Sequence, residues 1–130
     1  MAIGSCKPLL NVSDVETSLA FWRDLIGFEV TTRYEAEGRL MFANLKSGEA
    51  ELMLNGRGGD PSARRSRPHY TEAVIYLSVP SARDLARELR ARGCEAPEPE
   101  AQVYGLDEFV LRDPDGYEIA FTSPREAESA

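Results

Sequence analysis

Few side chains in this 130-residue chain are suited to chemistry, and their spacing limits what they can do. His69 is the one histidine. A general base needs a positioned partner, and Arg67, Pro68 and Tyr70 read as a flexible surface around it, so it is given no catalytic role. Cys6 and Cys94 make neither a disulfide framework nor a metal-binding spacing, and both read as reduced structural thiols with no activating histidine. Arg64, Arg65 and Arg67 suit an anionic group but read first as a solvated linker. No phosphate loop, Ser/His/Asp arrangement or CxxC is present. What remains is binding chemistry. Phe42, Tyr76 and Tyr104 fall on expected strands and offer flat rings to an aromatic ligand, with core or dimer packing the equal alternative. Glu51 offers a carboxylate to a cation, or is a solvated strand residue.

The elements that would position these groups occur twice. Val12-Ser13-Asp14-Val15 opens an amphipathic run that closes at Gly27, and Val79-Pro80-Ser81-Ala82 opens another that closes at Gly93. In each half the last two strands turn on polar residues, Lys46-Ser47-Gly48-Glu49 and Asp113-Pro114-Asp115-Gly116. Ser13 and Glu16 have capping-box spacing, which starts the first helix at Asp14. Its inward stripe is Val15, Leu19, Trp22 and Ile26, so Trp22 is read as core. Strands are expected over 28–34, 40–45 and 50–54, with a turn at Glu35-Ala36-Glu37-Gly38. In the second half strands are expected over 73–79, 102–104, 107–112 and 117–122, with Ser81 as N-cap. The chain is read as one domain, 1–130, made of modules 6–54 and 71–123 joined by a breaker-rich linker, 55–70. Ser123 to Ala130 are expected to fray. One helix covers only one face of each sheet. Two open faces curled toward each other would form a ligand cleft.

Composition excludes some roles. The hydrophobic fraction of 42% suits a packed globular protein, and no apolar stretch is long enough to span a bilayer. No signal peptide is visible, so a cytoplasmic location is expected. The net charge of −7 argues against nucleic acid as partner and is compatible with a cationic ligand.

Together, Val12-Ser13-Asp14, the run Ser18 to Phe28 and the run Glu108 to Gly116 resemble the vicinal-oxygen-chelate superfamily, which includes glyoxalase I, extradiol dioxygenases and bleomycin-resistance proteins. The resemblance covers about residues 6–122 and implies an α+β fold of two βαβββ modules forming curved mixed sheets around a cleft. Metal-dependent members carry four ligands, at positions matching Lys7, Glu51, Val74 and Ala120 here. Val74 and Ala120 offer no donor, and a protonated Lys7 has no free lone pair. Glu118, beside Ala120, is expected on the opposite sheet face. No cofactor and no usual metal site are therefore expected.

The metal-free branch resembles this chain more closely. Pro8 to Val15 is similar to its opening strand, Phe21-Trp22 to its helix pair, and Tyr104-Gly105 followed by 108–114 to a segment that usually begins Trp-Gly. The resemblance implies a homodimer binding a small, cationic and aromatic molecule without transforming it, as in antibiotic sequestration. Phe42, Glu51, Tyr76 and Tyr104 are the expected contacts. The rival readings are a metal-dependent lyase or dioxygenase with atypical ligands and a metal-free isomerase or lyase.

Overall fold

The computed structural model describes residues 1–126 and resolves them into two compact units. The first comprises Met1–Ser66 with Pro114–Gly116, and the second Arg67–Asp113 with the chain from Tyr117 onward.

In the first unit β1 (Leu9–Asn11) is followed by α1 (Val15–Leu19), a π-helical continuation (Ala20–Ile26), β2 (Glu29–Ala36), β3 (Arg39–Ser47), β4 (Ala50–Asn55) and the one-turn α2 (Ser62–Arg65). The sheet order is β1-β4-β3-β2, with β1–β4 parallel and the other pairs antiparallel. Strand side chains alternate between faces. Val12, Ala43, Leu45, Leu52 and Leu54 are buried with Val15, Leu19 and Trp22, and α1 packs on β3 and β4. Each fully buried Val or Leu among them contributes about 1.5–3 kcal/mol. Trp22 is core, as its stripe implies, and makes edge-on contacts with Phe21 and Phe28 at centroid distances of 5.2 and 5.5 Å. The wider π winding ends with the N–H groups of Gly27 and Phe28 both donating to the Trp22 carbonyl. Gly27 takes the left-handed conformation, φ 104°, that this closure requires.

The helix cap differs from the expected Ser13–Glu16 box. Asp14 is the N-cap, and its carboxylate accepts from both the Thr17 N–H and the Thr17 hydroxyl at 2.9 Å. Asp and Ser cap equally well, and the carboxylate also faces the positive end of the helix. The Ser13 N–H instead donates to Asp115 at 2.7 Å. Strand β2 runs through Glu35 and Ala36, so the turn tightens to Glu37-Gly38, both at positive φ.

The second unit repeats the order: β5 (Val74–Ser78), α3 (Ala82–Ala91), β6 (Glu100–Ala101), β7 (Leu106–Arg112) and β8 (Glu118–Pro124). Its sheet order is β5-β8-β7-β6, again with the parallel pair at one edge. Ser81 caps α3 by accepting from the Asp84 N–H at 3.1 Å. Ala82, Ala86 and Leu89 of α3 are buried with Phe109, Leu111, Ile119 and Phe121.

Two expectations fail here. Residues 102–104 are not a strand: Gly105 at φ 86° folds them into the β6–β7 turn, with the Gln102 N–H donating to the Leu106 carbonyl at 2.7 Å. Ser123 does not begin a frayed tail, because β8 continues to Pro124 and buried Ser123 accepts from the Ala82 N–H at 2.8 Å. The rest of the expected fraying, at 127–130, lies outside the described residues.

Candidate functional site

Each unit leaves one sheet face without a helix of its own, and the pairing registers decide which side chains stand there. In the first unit Phe42 pairs with Asn55, Asn44 with Met53, and Lys46 with Glu51, so Phe42 on β3 and Glu51 on β4 share the open face at opposite ends of the β3–β4 ladder. Phe42 is half-buried opposite the exposed Tyr34. Glu51 is already engaged: Lys7 Nζ lies 3.3 Å away and Asn44 Nδ2 donates to it at 3.3 Å. The Asn44 hydrogen bond, then Lys7, hold its carboxyl below the usual carboxylate range.

In the second unit Val74 pairs with Glu118 and Tyr76 with Ala120, and across β7 these meet Arg112 and Val110. Glu118 and Ala120 are two residues apart and therefore share a face, which corrects the expected opposition. Thr122 and its partner Glu108 lie on this face too. Asp107, one residue away, turns under α3 and ion-pairs with Arg83 at 3.2 Å.

Glu108 organises the open face. It is 5% exposed, yet its Oε1 accepts from the Tyr104 hydroxyl at 2.8 Å and its Oε2 from the Tyr70 hydroxyl at 3.0 Å. Tyr76 and Tyr104, expected as separate strand contacts, are neighbours here, each about half exposed. The Glu108 hydrogen bond chiefly pushes the Tyr104 phenol up to about 12, with burial, the Glu108 charge and Tyr76 adding to it. For Tyr70 loss of hydration at the hydroxyl leads, followed by Glu108, and it too is pushed up to about 12. Both phenols therefore stay protonated donors throughout the physiological range.

A second carboxylate supports the first. Glu118, also buried, accepts from the Tyr70 backbone N–H at 3.0 Å, lies 3.4 Å from Arg112 Nη2 and has His69 Nδ1 3.1 Å from Oε2. His69 thus has the positioned partner that its sequence neighbours did not suggest, although its ring is largely exposed. His69, Tyr70, Glu98, Glu100, Gln102 and Glu108 line most of a hollow of about 260 Å³.

Sequence reasoning missed Tyr70, Glu108 and the Glu118 contact with His69. The available signal was the two-residue spacing of Glu108, Val110 and Arg112 with Glu118, Ala120 and Thr122, which places polar groups on one face. The other sequence candidates play structural parts. Arg64 donates to the Asp115 carbonyl at 3.0 Å and Arg65 to the Pro114 carbonyl at 2.8 Å, and Arg67 pairs with Glu72. Cys6 is free and exposed rather than packed. Burial, then Glu95, pushes the Cys94 thiol up and away from thiolate reactivity.

The residues do not fit the metal that other members of the resembled superfamily carry. Lys7 is paired to Glu51, Val74 and Ala120 carry no donors, and among the described residues no three His, Cys, Asp or Glu side chains gather as they would around an ion.

Two four-stranded mixed sheets, each with a helix on one face and a parallel pair at one edge, define an α+β protein of paired βαβββ units. The chain belongs to the Glyoxalase/Bleomycin resistance protein/Dioxygenase superfamily, whose sequence profile matches residues 3–121. It is 27% identical over 116 residues to the virulence protein STM3117 of Salmonella typhimurium, covering 83% of this chain and 75% of that one. Its fold is similar to TnmS3, an antibiotic binding protein from Streptomyces sp. CB03234, with a TM-score of 0.72, 21% identity and coverage of 96% and 99%. The bleomycin-binding protein of bleomycin-producing Streptomyces verticillus, complexed with copper(II)-bleomycin, gives 0.70 at 21% identity, covering 96% and 99%. Lactoylglutathione lyase from Agrobacterium tumefaciens gives 0.67 at 15% identity, covering 95% and 96%. At these identities the likeness to solved structures is one of fold.

Proposed function

We propose that this chain is a small-molecule binding protein of the bleomycin-resistance type. It sequesters an antibiotic-like ligand, aromatic and positively charged, without transforming it, and works as a cytoplasmic homodimer. The observation that carries this reading is the set of half-exposed tyrosine rings, Tyr70, Tyr76 and Tyr104, beside Glu108. Flat rings with polar tips bind aromatic surface at low entropic cost. On the open face of the first unit, Phe42 and Glu51 are the proposed ligand contacts of that unit. Family membership, with antibiotic-binding proteins among the structural neighbours, supports the reading.

The metal-dependent rival lacks converging donors. The contact between His69 and Glu118 favours a metal-free proton-transfer enzyme as second reading, since a buried carboxylate orients an exposed imidazole.

Calorimetric titration of chelator-treated protein with Zn²⁺, Ni²⁺ and Mn²⁺, then with bleomycin-type cationic glycopeptides, tests the proposal. Saturable drug binding near one ligand per subunit, with the drug recovered unchanged, is expected. Tight one-per-subunit metal uptake, or conversion of the drug, would overturn it. Sedimentation equilibrium tests the dimer.

A further inference from the structure

We infer that the positive charge of a ligand is held in the second unit, at Glu108 and Glu100, as a protonated amine beside the Glu108 carboxylate that Tyr70 and Tyr104 hold in place. This rests on the binding reading above and moves the cation contact away from Glu51, which Lys7 and Asn44 already occupy.

Three independent observations lead there. Glu108 and Glu100 are direct cross-strand partners in the β6–β7 pair. Like charges placed opposite each other repel, and among the described residues neither carboxylate makes an ion pair with a lysine, arginine or histidine. A cation between them would remove that repulsion. Next, the buried Glu108 carboxylate spends one acceptor position per oxygen on Tyr104 and Tyr70. A carboxylate has about four such positions, so acceptor capacity remains for an N–H donor. Finally, both glutamates and Tyr70 line the hollow of about 260 Å³, which is open to solvent-borne ligands of amine size. A hydrogen bond from an ammonium group to this carboxylate would be charge-assisted.

The neighbouring charges suit this assignment. Glu98, on the same hollow, is paired with Arg90 at 2.9 Å, and Arg112 lies against Glu118. Glu100 and Glu108 are left as the pair with charge to offer.

The test uses the whole chain and two probes of equal shape, benzylammonium and benzyl alcohol, followed by NMR of the tyrosine ring signals. Benzylammonium is expected to bind about tenfold more tightly than benzyl alcohol and to shift the Tyr70 and Tyr104 signals. Glu108→Gln should abolish that preference, and Glu100→Gln, at an exposed position, should reduce it several-fold without unfolding the protein. Equal affinity for the two probes, absence of benzylammonium binding, or full preference retained in Glu100→Gln and Glu108→Gln would overturn the inference. If Glu108→Gln does not fold, the probe comparison on the unaltered chain and on Glu100→Gln decides. The drug titration is independent: its failure removes the sequestration reading, whereas failure of the probe preference removes only the amine site.

Discussion

Tyr70 joins two buried carboxylates, its hydroxyl donating to Glu108 at 3.0 Å while its backbone N–H donates to Glu118 at the same distance. The residue sits at φ 62°, a left-handed conformation that a tyrosine adopts only when its surroundings impose it. Tyr70→Phe keeps the ring and backbone bond but removes the donor to Glu108. Losing a hydrogen bond to a charged acceptor should cost about 1–2 kcal/mol, read as a lower urea midpoint at unchanged slope.

Alkaline pH should weaken the fold through the same residues. The phenols of Tyr70 and Tyr104 are pushed up in the folded protein to about 12, from the ordinary value of 10.0. A raised pKa means that the folded state holds the proton more tightly, so this contribution is complete below pH 10 and is lost as pH rises through the folded value. Near-ultraviolet titration of tyrosinate, with Tyr70→Phe and Tyr104→Phe to assign the signals, should show Tyr70 and Tyr104 ionising above the ordinary phenol range in the native protein. In Glu108→Gln those two should titrate earlier. Ionisation of Tyr70 and Tyr104 in the ordinary phenol range in the unaltered, folded protein would contradict the geometry.

Asp14 works at the other end of the pH scale. The Thr17 backbone hydrogen bond is the chief reason that its carboxyl lies below the usual value of 3.8. Its stabilisation is therefore present above that value and fades as pH falls through the lower folded value. Asp14→Ala should cost about 1 kcal/mol at neutral pH, and the deficit should shrink in strong acid, where the neutral carboxyl keeps only an uncharged acceptor. A constant deficit across the acid range would mean that the charge plays no part.

Gly58 is required by close approach, since a Cβ built there would lie 2.7 Å from the Asn11 carbonyl oxygen and the Val12 carbonyl carbon. Its N–H also donates to the Val12 carbonyl at 2.9 Å, fixing the chain against the end of β1. Backbone cannot move aside as a side chain can, so Gly58→Ala should cost about 1–3 kcal/mol. Gly59→Ala meets nothing within 4 Å and should be nearly neutral by the same thermal melt.

The sequence by itself determined the duplicated architecture, because helix and strand periods and the glycines that end each helix are local signals. Gly27 and Gly93 both take positive φ just past a helix, and Ser81 caps α3, as their spacing implies. Local signals also made Trp22 core. Where two residues compete for one local role the sequence misleads by a single step, as with Ser13 and Asp14. Tertiary structure alone decided the candidate site. Strand register places Glu118 and Ala120 on one face and sets Glu100 opposite Glu108. Chain folding brings Tyr70 to Glu108 across 38 residues and His69 to Glu118 across 49. No period within 55–70 marks those residues as ordered, because what orders them is a pair of buried carboxylates far along the chain.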